Sequence, residues 1–561
     1  MAILDENPGA DLLFALQKEL PKKRVLLVDR HPAARDALRM MLSALGIVSV
    51  TGAGTSAEVL RQVKATTFDI ILSDYLLDDG RDGQQLLEEL RQQHLIPLGT
   101  VFMVVTGERA YQNVVSVAEL APDDYLIKPF TADQLQARLL KAIYKKDFFG
   151  PVYRKLDEGA YVGALNACDR LLANRSPFEL DVLRLKGEVL NVLGRHTEAE
   201  EIYREVLARK SVPWARMGLA VALRGRKDLD EAASLARAVV DEIPEYLSAY
   251  DFLAGVHEEM DRLDEAQSIL LQAAGISPKN AARQRMVGDV AVRNGDLDTA
   301  EKAYGKVLER HRGSSLKQID DYANLSRVML DRGHAAGARQ IIAELKRDWR
   351  GNRQGEYAAA VMDSLCLHAE GEPAKAAAAA ERALRLRENL PADADAMKSV
   401  SQRIEVDLAH ACLASGHEEA AQAIMRKVAA ENNDNQQMIA QIAGVYARTG
   451  REDAGRELLD QVGREIVELN NRGVMAARSG DLEASVRLLI EAAENVASVQ
   501  FLVNAAKAIS ALMDNNGWKE DLAERARDYL QRAKGKAPRD PRVLSGLDTL
   551  RRVAEKYGVA L

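Results

Sequence analysis

From residue 150 to the end of the chain, small residues return at a fixed interval. Gly288 follows Ala254 by 34 positions, and Ala300 follows Ala266 by the same 34. The companions of these residues keep the frame, with Leu253, Asp261, Leu270, Ala273 and Pro278 in one stretch and Val287, Gly295, Tyr304 and Val307 in the next. A period of this length excludes one large globular core. Each unit is a single supersecondary element that can bury its apolar face only against its neighbours. Within a unit the apolar spacing is helical, and a glycine separates the two helices where a left-handed turn costs least. Further units are marked by Gly187, Gly194, Ala199 and Tyr203, by Trp214, Met217 and Gly218, by Ser326, Gly333 and Ala338, and by Ser364, Gly371 and Ala376. Ala409, Gly416 and Ala421 mark another, as do Ala443, Gly450 and Gly455, and then Gly473, Gly480 and Ser485. With an opening pair around Gly159 and Ala164 and a weaker one at Ala526, Ala533 and Pro538, the count is about eleven. A helix over 541–557 would cap the last open edge.

This pattern resembles the tetratricopeptide repeat. The resemblance implies an all-α superhelix over 146–540, elongated and curved, whose concave face is lined mainly by the first helix of each pair. Such a groove suits an extended peptide or a helix of a partner protein. Asn324, Asn470, Asn471 and Asn504 are candidates for holding a peptide backbone there, against the plainer reading of solvated helix surface. Trp214 falls at a core position of the frame, whereas Trp349 and Trp518 stand in loop-like contexts.

The first 145 residues follow a different rule. Short apolar runs end at polar residues: Arg24-Val25-Leu26-Leu27-Val28 at Asp29, Ile70-Ile71-Leu72-Ser73 at Asp74, Val101 to Val105 at Thr106, and Tyr125-Leu126-Ile127 at Lys128-Pro129. A further strand is expected over 47–50. Helical spacing fills the intervals over 33–45, 57–66 and 83–94, and a last helix is expected over 132–145. Buried strands alternating with helices predict a doubly wound parallel sheet of five strands. In such sheets the ligand site lies beyond the carboxyl ends of the strands, where Asp29, Asp74, Thr106 and Lys128 fall. Two carboxylates can hold a hard divalent cation, and a hydroxyl with an ammonium can neutralise phosphoryl oxygens.

Over about residues 22–145 the chain resembles the flavodoxin-like receiver domain of bacterial two-component response regulators, on four motifs that occur in order. The resemblance implies that Asp74 is the phosphoacceptor, supplied by a histidine kinase. It implies that Asp29, Asp74 and the carbonyl of Leu76 bind Mg2+, and that Lys128 and Thr106 contact the phosphoryl oxygens. Thr106 and Tyr125 would relay the switch, and the bond before Pro129 would be cis. The face of the last helix, 132–145, is where such receivers dimerise.

Two positions depart from the pattern. Arg30 stands where the family places a second acid, itself a metal ligand, so Mg2+ should bind weakly and a positive charge should lie near Asp74. Either the site still takes phosphate on Asp29 and Asp74, or the receiver is phosphorylation-impaired and the arginine partly replaces the cation. The loop 77–83 lacks the family's proline and is one residue longer.

The 84 acidic residues outnumber the 76 Lys and Arg, no basic cluster stands out, and nucleic acid is not the expected partner. The first eight residues are polar and acidic rather than basic then apolar, and no apolar run approaches the roughly 20 residues of a membrane span. Residues 1–21 form an arm in which 10–20 has the spacing of one amphipathic helix, a docking element on one reading and a frayed terminus on the other. Cys168, Cys366 and Cys412 are far apart and read as buried thiols of a reducing, cytoplasmic setting. No phosphate-binding glycine loop, nucleophile elbow or HExxH is present, so the expected output is binding rather than catalysis. Two functions stay open: an adaptor switched at Asp74, and a constitutive scaffold whose receiver no longer cycles.

Overall fold

The computed structural model describes residues 10–77, 83–107, 122–173, 178–312, 316–390, 401–432, 435–495, 498–537 and 540–559. The loop departure at 78–82, the first eight residues and Pro538 lie outside them. The chain divides into two compact units, Met1–Arg224 with Asp228–Arg283, and Gly225–Lys227 with Gln284–Leu561.

The first unit opens with α1 (Ala10–Glu19), β1 (Val25–Val28), α2 (Pro32–Ala44), β2 (Val50–Ala53), α3 (Ser56–Ala65), β3 (Ile70–Ser73), α4 (Gly83–Gln92), β4 (Val101–Thr106) and β5 (Asp124–Ile127). The strands are all parallel, in the order β2-β1-β3-β4-β5. Side chains alternate across the sheet, as strand geometry requires. Val25 and Leu27 join Ile70, Leu72, Met103 and Leu139 on one face, while Leu26 and Val28 join Ile71, Phe102, Val104 and Leu87 on the other. Both faces are covered, which is why β1 and β3 read as unbroken apolar runs. The expected strand at 47–50 begins instead at Val50, which pairs with Val25. Ile47 precedes the ladder because it fills the core beside Leu42 of α2. In the arm, Leu16 of α1 and the following Leu20 are buried in the same cluster as the sheet.

The last helix of the sheet domain does not end near Lys145. α5 runs unbroken from Ala132 to Asp157, 26 residues, with a capping box at Thr131 and Gln134. The expected boundary at 145/146 therefore falls inside a helix. Pro151 lies inside the helix and gives up the bond to the carbonyl four residues back. Aromatic packing outweighs that loss. Phe148 and Phe149 lie against Phe178 with ring centroids 5.1 and 6.1 Å away. The first half of α5 buries Leu135, Leu139 and Ile143 in the sheet domain, and its second half buries Phe149 and Val152 among the helices that follow.

Those helices are α6 (Tyr161–Ala173), α7 (Glu179–Val192), α8 (His196–Arg209), α9 (Pro213–Gly225), α10 (Leu229–Glu242), α11 (Leu247–Glu259) and α12 (Leu263–Ile276). The second unit continues with α13 (Ala281–Arg293), α14 (Leu297–His311), α15 (Ile319–Asp331), α16 (Ala335–Asp348), α17 (Arg353–Ala369), α18 (Pro373–Glu388), α19 (Gln402–Ala414), α20 (Glu418–Glu431) and α21 (Gln436–Arg448). It ends with α22 (Glu452–Arg478), α23 (Leu482–Asn495), α24 (Val499–Asn516), α25 (Glu520–Lys536) and α26 (Pro541–Lys556). The second half of α5 opens the first pair, and the 27-residue α22 serves two pairs, closing one and opening the next. On that reckoning the described helices form eleven pairs, followed by α26, which packs on α24 and α25.

The repeated small residues have a visible cause. A Cβ on Gly187 would lie 2.6 Å from the ring of Tyr203, and one on Gly288 would lie 2.6 Å from the ring of Tyr304. Carbon atoms pack at about 3.5–4.0 Å, so only glycine leaves room for these tyrosines. Ala266 and Ala300 are fully buried where the helices meet. Trp214 packs in the core beside Tyr203, and Trp349 and Trp518 also lie against apolar clusters.

Candidate functional site

The strand order reverses between β1 and β3, the point at which sheets of this kind take their ligands. Val28 and Ser73 are partners in the ladder, so the residues after them, Asp29 and Asp74, leave the sheet side by side. Lys128 follows β5 across the sheet, on a cis peptide bond to Pro129. Its Nζ donates to Asp29 Oδ2 at 2.7 Å and to Asp74 Oδ2 at 3.1 Å. The backbone supplies the remaining donors: His31 N to Asp29 Oδ1 at 2.8 Å, and Tyr75 N to Asp74 Oδ1 at 2.6 Å.

The electrostatics follow from burial and this single ammonium. Asp29 is 1% exposed, and burial alone would raise its pKa. The hydrogen bonds from Lys128 and His31 outweigh that and hold it below the usual carboxylate range. Asp74 stays above the usual range, because burial and the charge of Asp29 together exceed the pull of Lys128. Lys128 is raised, since the two carboxylates more than offset its own burial. Among the described residues the site sets two carboxylates against one ammonium.

Arg30 does not supply the difference. The expectation of its charge beside Asp74 is corrected: the residue is exposed, and among the described residues it makes no hydrogen bond or ion pair. The charges that act most on Asp74 are those of Lys128 and Asp29. The reason is local, since Asp29 turns inward at the strand end and its neighbour turns out to solvent. Tyr125 is half-buried and its ring packs against the cluster that contains Val28 and Val104. Thr106 closes β4 opposite Ile127, and its side chain lies outside the described residues. Leu76 is exposed, two residues beyond Asp74.

Sequence reasoning missed two supports. Arg35 donates to the carbonyl of Asp29 at 2.5 Å and so fixes the turn into α2. Gly83 opens α4 so close to the site that a Cβ there would lie 2.6 Å from the carbonyl oxygen of Asp74. The glycine was readable as a helix start, but the close approach was not.

In the second unit the first helices of successive pairs carry a web of charges. Arg285 on α13 forks onto Asp321 on α15 at 2.7 and 2.8 Å. Arg403 on α19 reaches Asp289 on α13 at 2.8 Å, and Arg327 on α15 pairs with Asp407 on α19. Burial would weaken the charge of Arg327, yet Asp407 keeps its pKa raised. Tyr357 donates to Glu405 at 2.6 Å. Three of the four asparagines expected to hold a partner peptide are engaged within the chain. Asn324 is 8% exposed and accepts from Arg327 at 2.8 Å, while Asn504 donates to Asn470 at 3.1 Å and accepts from Gln500 at 2.7 Å. Asn471 alone of the four is exposed.

A five-stranded parallel sheet with paired carboxylates at its switch point and a lysine after the last strand defines the class, a receiver-type α/β domain. A family described as response regulator receiver domain matches residues 25–140, and two tetratricopeptide repeat families match 153–213 and 247–280. The chain thus carries a response regulator receiver domain followed by tetratricopeptide repeats. Among solved structures it is similar to a response regulator receiver domain protein (CheY-like) from Methanospirillum hungatei JF-1, 27% identical over 22% of this chain and 96% of that one, TM-score 0.21. It is also similar to a tetratricopeptide repeat protein from Parabacteroides merdae ATCC 43184, 14% identical over 43% of this chain and 92% of that one, TM-score 0.30. MamA is 21% identical over 29% of this chain and 95% of its own, TM-score 0.26. No helix among the described residues is long and apolar enough to cross a membrane.

Proposed function

We propose that the receiver accepts a phosphoryl group on Asp74 from a histidine kinase and that this state changes what the repeat array binds. The observation that carries the reading is the Asp29–Lys128–Asp74 arrangement, in which, among the described residues, one ammonium faces two carboxylates. An oxygen of Asp74 attacks phosphorus, the acyl phosphate bond forms, and the phosphorus–nitrogen bond of the phosphohistidine breaks with its electron pair left on the imidazole. Lys128 already spans the two carboxylates and needs only to shift to meet the new phosphoryl oxygens.

The oxygen-only donors fit a hard divalent ion, with Asp29 and Asp74 as its protein carboxylates and water completing the shell. When bound, Mg2+ would supply positive charge to the phosphoryl oxygens in flight. Because Arg30 replaces an acidic ligand, that binding is weak. The partner of the array is a protein or peptide, and the output is binding.

A second reading, a constitutive scaffold, draws on the same residue. With one acid missing and Lys128 serving both remaining carboxylates, the receiver would fold and dock without cycling. Initial rates of phosphoryl incorporation from acetyl phosphate, followed by intact mass against Mg2+ concentration, separate the two. The switched adaptor requires wild type to label, Arg30→Asp to label faster at low Mg2+, and Asp74→Asn not to label at all. A wild type that stays unlabelled while Arg30→Asp labels supports the scaffold. Labelling that survives in Asp74→Asn removes the phosphoacceptor assignment.

A further inference from the structure

The residue after the phosphoacceptor touches the repeat array. Tyr75 is 1% exposed and packs its ring in the receiver core with Val28, Leu86 and Val104. Its hydroxyl accepts a hydrogen bond from Nζ of Lys279 at 3.2 Å, and the same ammonium stands 5.5 Å from the centre of its ring. Lys279 lies 204 residues further along the chain, in the connection just beyond α12 that follows the fourth repeat pair of the same compact unit. A hydrogen bond and a cation–π contact made by one ammonium to one tyrosine form a directional joint between the two folds.

The other end of Tyr75 is tied to the phosphorylation site. Its N–H donates to Asp74 Oδ1 at 2.6 Å, and its carbonyl accepts from Gly83 N at 2.6 Å, the first residue of α4. The first of these bonds is charge-assisted, because the acceptor is a carboxylate. Phosphorylation of Asp74 removes that carboxylate charge: one carboxylate oxygen attacks the phosphorus of the donor, the donor's leaving group departs with the bonding pair, and the other oxygen is left as the neutral carbonyl of an acyl phosphate. The bond from the Tyr75 N–H then loses its charge assistance. The ring is rigid, so movement of the peptide is carried to the hydroxyl that Lys279 holds.

From this geometry we infer that Tyr75 and Lys279 form a latch that reports the state of Asp74 to the repeat array, closed on the free carboxylate and loosened when that carboxylate is esterified. The inference rests on the phosphoacceptor reading for its natural trigger, but the latch itself does not require phosphate. Any change that removes the carboxylate should open it.

Hydrogen exchange of full-length protein, read on peptides spanning 277–283, tests this. A net hydrogen bond of ordinary strength corresponds to about a two- to tenfold change in local opening. Lys279→Ala and Tyr75→Phe should therefore speed exchange there by roughly that factor in resting protein. Asp74→Ala should do the same with no phosphodonor present. Wild type treated with acetyl phosphate and Mg2+, with one phosphoryl group per chain verified by intact mass, should reach the level of Lys279→Ala, and labelled Lys279→Ala should show no further increase. Resting exchange in Lys279→Ala equal to wild type would overturn the latch. Unchanged exchange in both Asp74→Ala and labelled wild type would overturn its coupling to the site. If wild type takes no label while Asp74→Ala still opens 277–283, the switched-adaptor reading fails and the latch stands.

Discussion

Two glycines of one helix pair should respond in opposite ways to the same added methyl group. Gly288 lies in α13 and Gly305 in α14, both without the positive φ that would strain an alanine. Replacing a mid-helix glycine with alanine gains about 1 kcal/mol of helix propensity. At Gly305 nothing stands within 4 Å of the new Cβ, so that gain should appear undiminished. At Gly288 the Cβ would meet three carbons of the Tyr304 ring at 2.6, 2.7 and 2.9 Å, about 1 Å inside the distance at which carbons pack. The ring cannot simply swing aside. It is 1% exposed, and its hydroxyl donates to Asp289 at 2.7 Å. Overpacking of this kind costs about 1–3 kcal/mol, so Gly288→Ala should be less stable than Gly305→Ala by that amount. All three tryptophans lie beyond residue 213, and Trp349 packs on the cluster that contains Tyr304. Urea titration followed by tryptophan fluorescence thus reads this part of the array, with the difference expected as a shift of midpoint. Gly288→Ala combined with Tyr304→Leu should recover most of the loss. Equal stabilisation by both glycine substitutions would refute the packing argument.

Further outcomes follow from the buried ionisable groups. The folded pKa of Asp74 is raised, so its stabilising contribution is complete below the unfolded pKa and is lost as pH rises through the folded one. At pH 7 ionised Asp74 is therefore a cost. Amides of β1 and β3 in Asp74→Asn should exchange more slowly than in wild type at pH 7, and the advantage should shrink near pH 4. Asp29 behaves oppositely, its contribution fading as pH falls through its lowered pKa. Burial pushes Cys168 and Cys412 up to about 11 and raises Cys366. At pH 8 a thiol reagent should leave the folded protein unlabelled and react with three thiols in urea.

The grouping at the candidate site was legible because each contributing strand is an apolar run that stops at one polar residue. Asp29, Asp74 and Lys128 are brought together by parallel pairing, which alternating strands and helices already imply. The helix pairs were legible through small residues, whose spacing repeats the contact they serve. What escaped has a common cause, since it depends on partners that no local window contains. The helix expected over 132–145 runs on to Asp157 because Phe148 and Phe149 pack on Phe178, far along the chain. Asn324 and Asn470 look available until Arg327 and Asn504 occupy them. The contact of Lys279 with Tyr75 joins two stretches with no shared pattern.

The unbroken α5 also fixes an angular phase between receiver and repeats. An α-helix turns about 100° and rises about 1.5 Å per residue. One residue inserted between Ile143 and Phe149 would swing the aromatic face of the second half by about 100° away from Phe178 while the first half kept its seat on the sheet. Seven residues, two turns, would return that face to within about 20° but carry it about 10 Å further out. Length variation in this stretch is therefore quantised, and changes of a whole number of turns are the only ones that keep the two halves facing the same way.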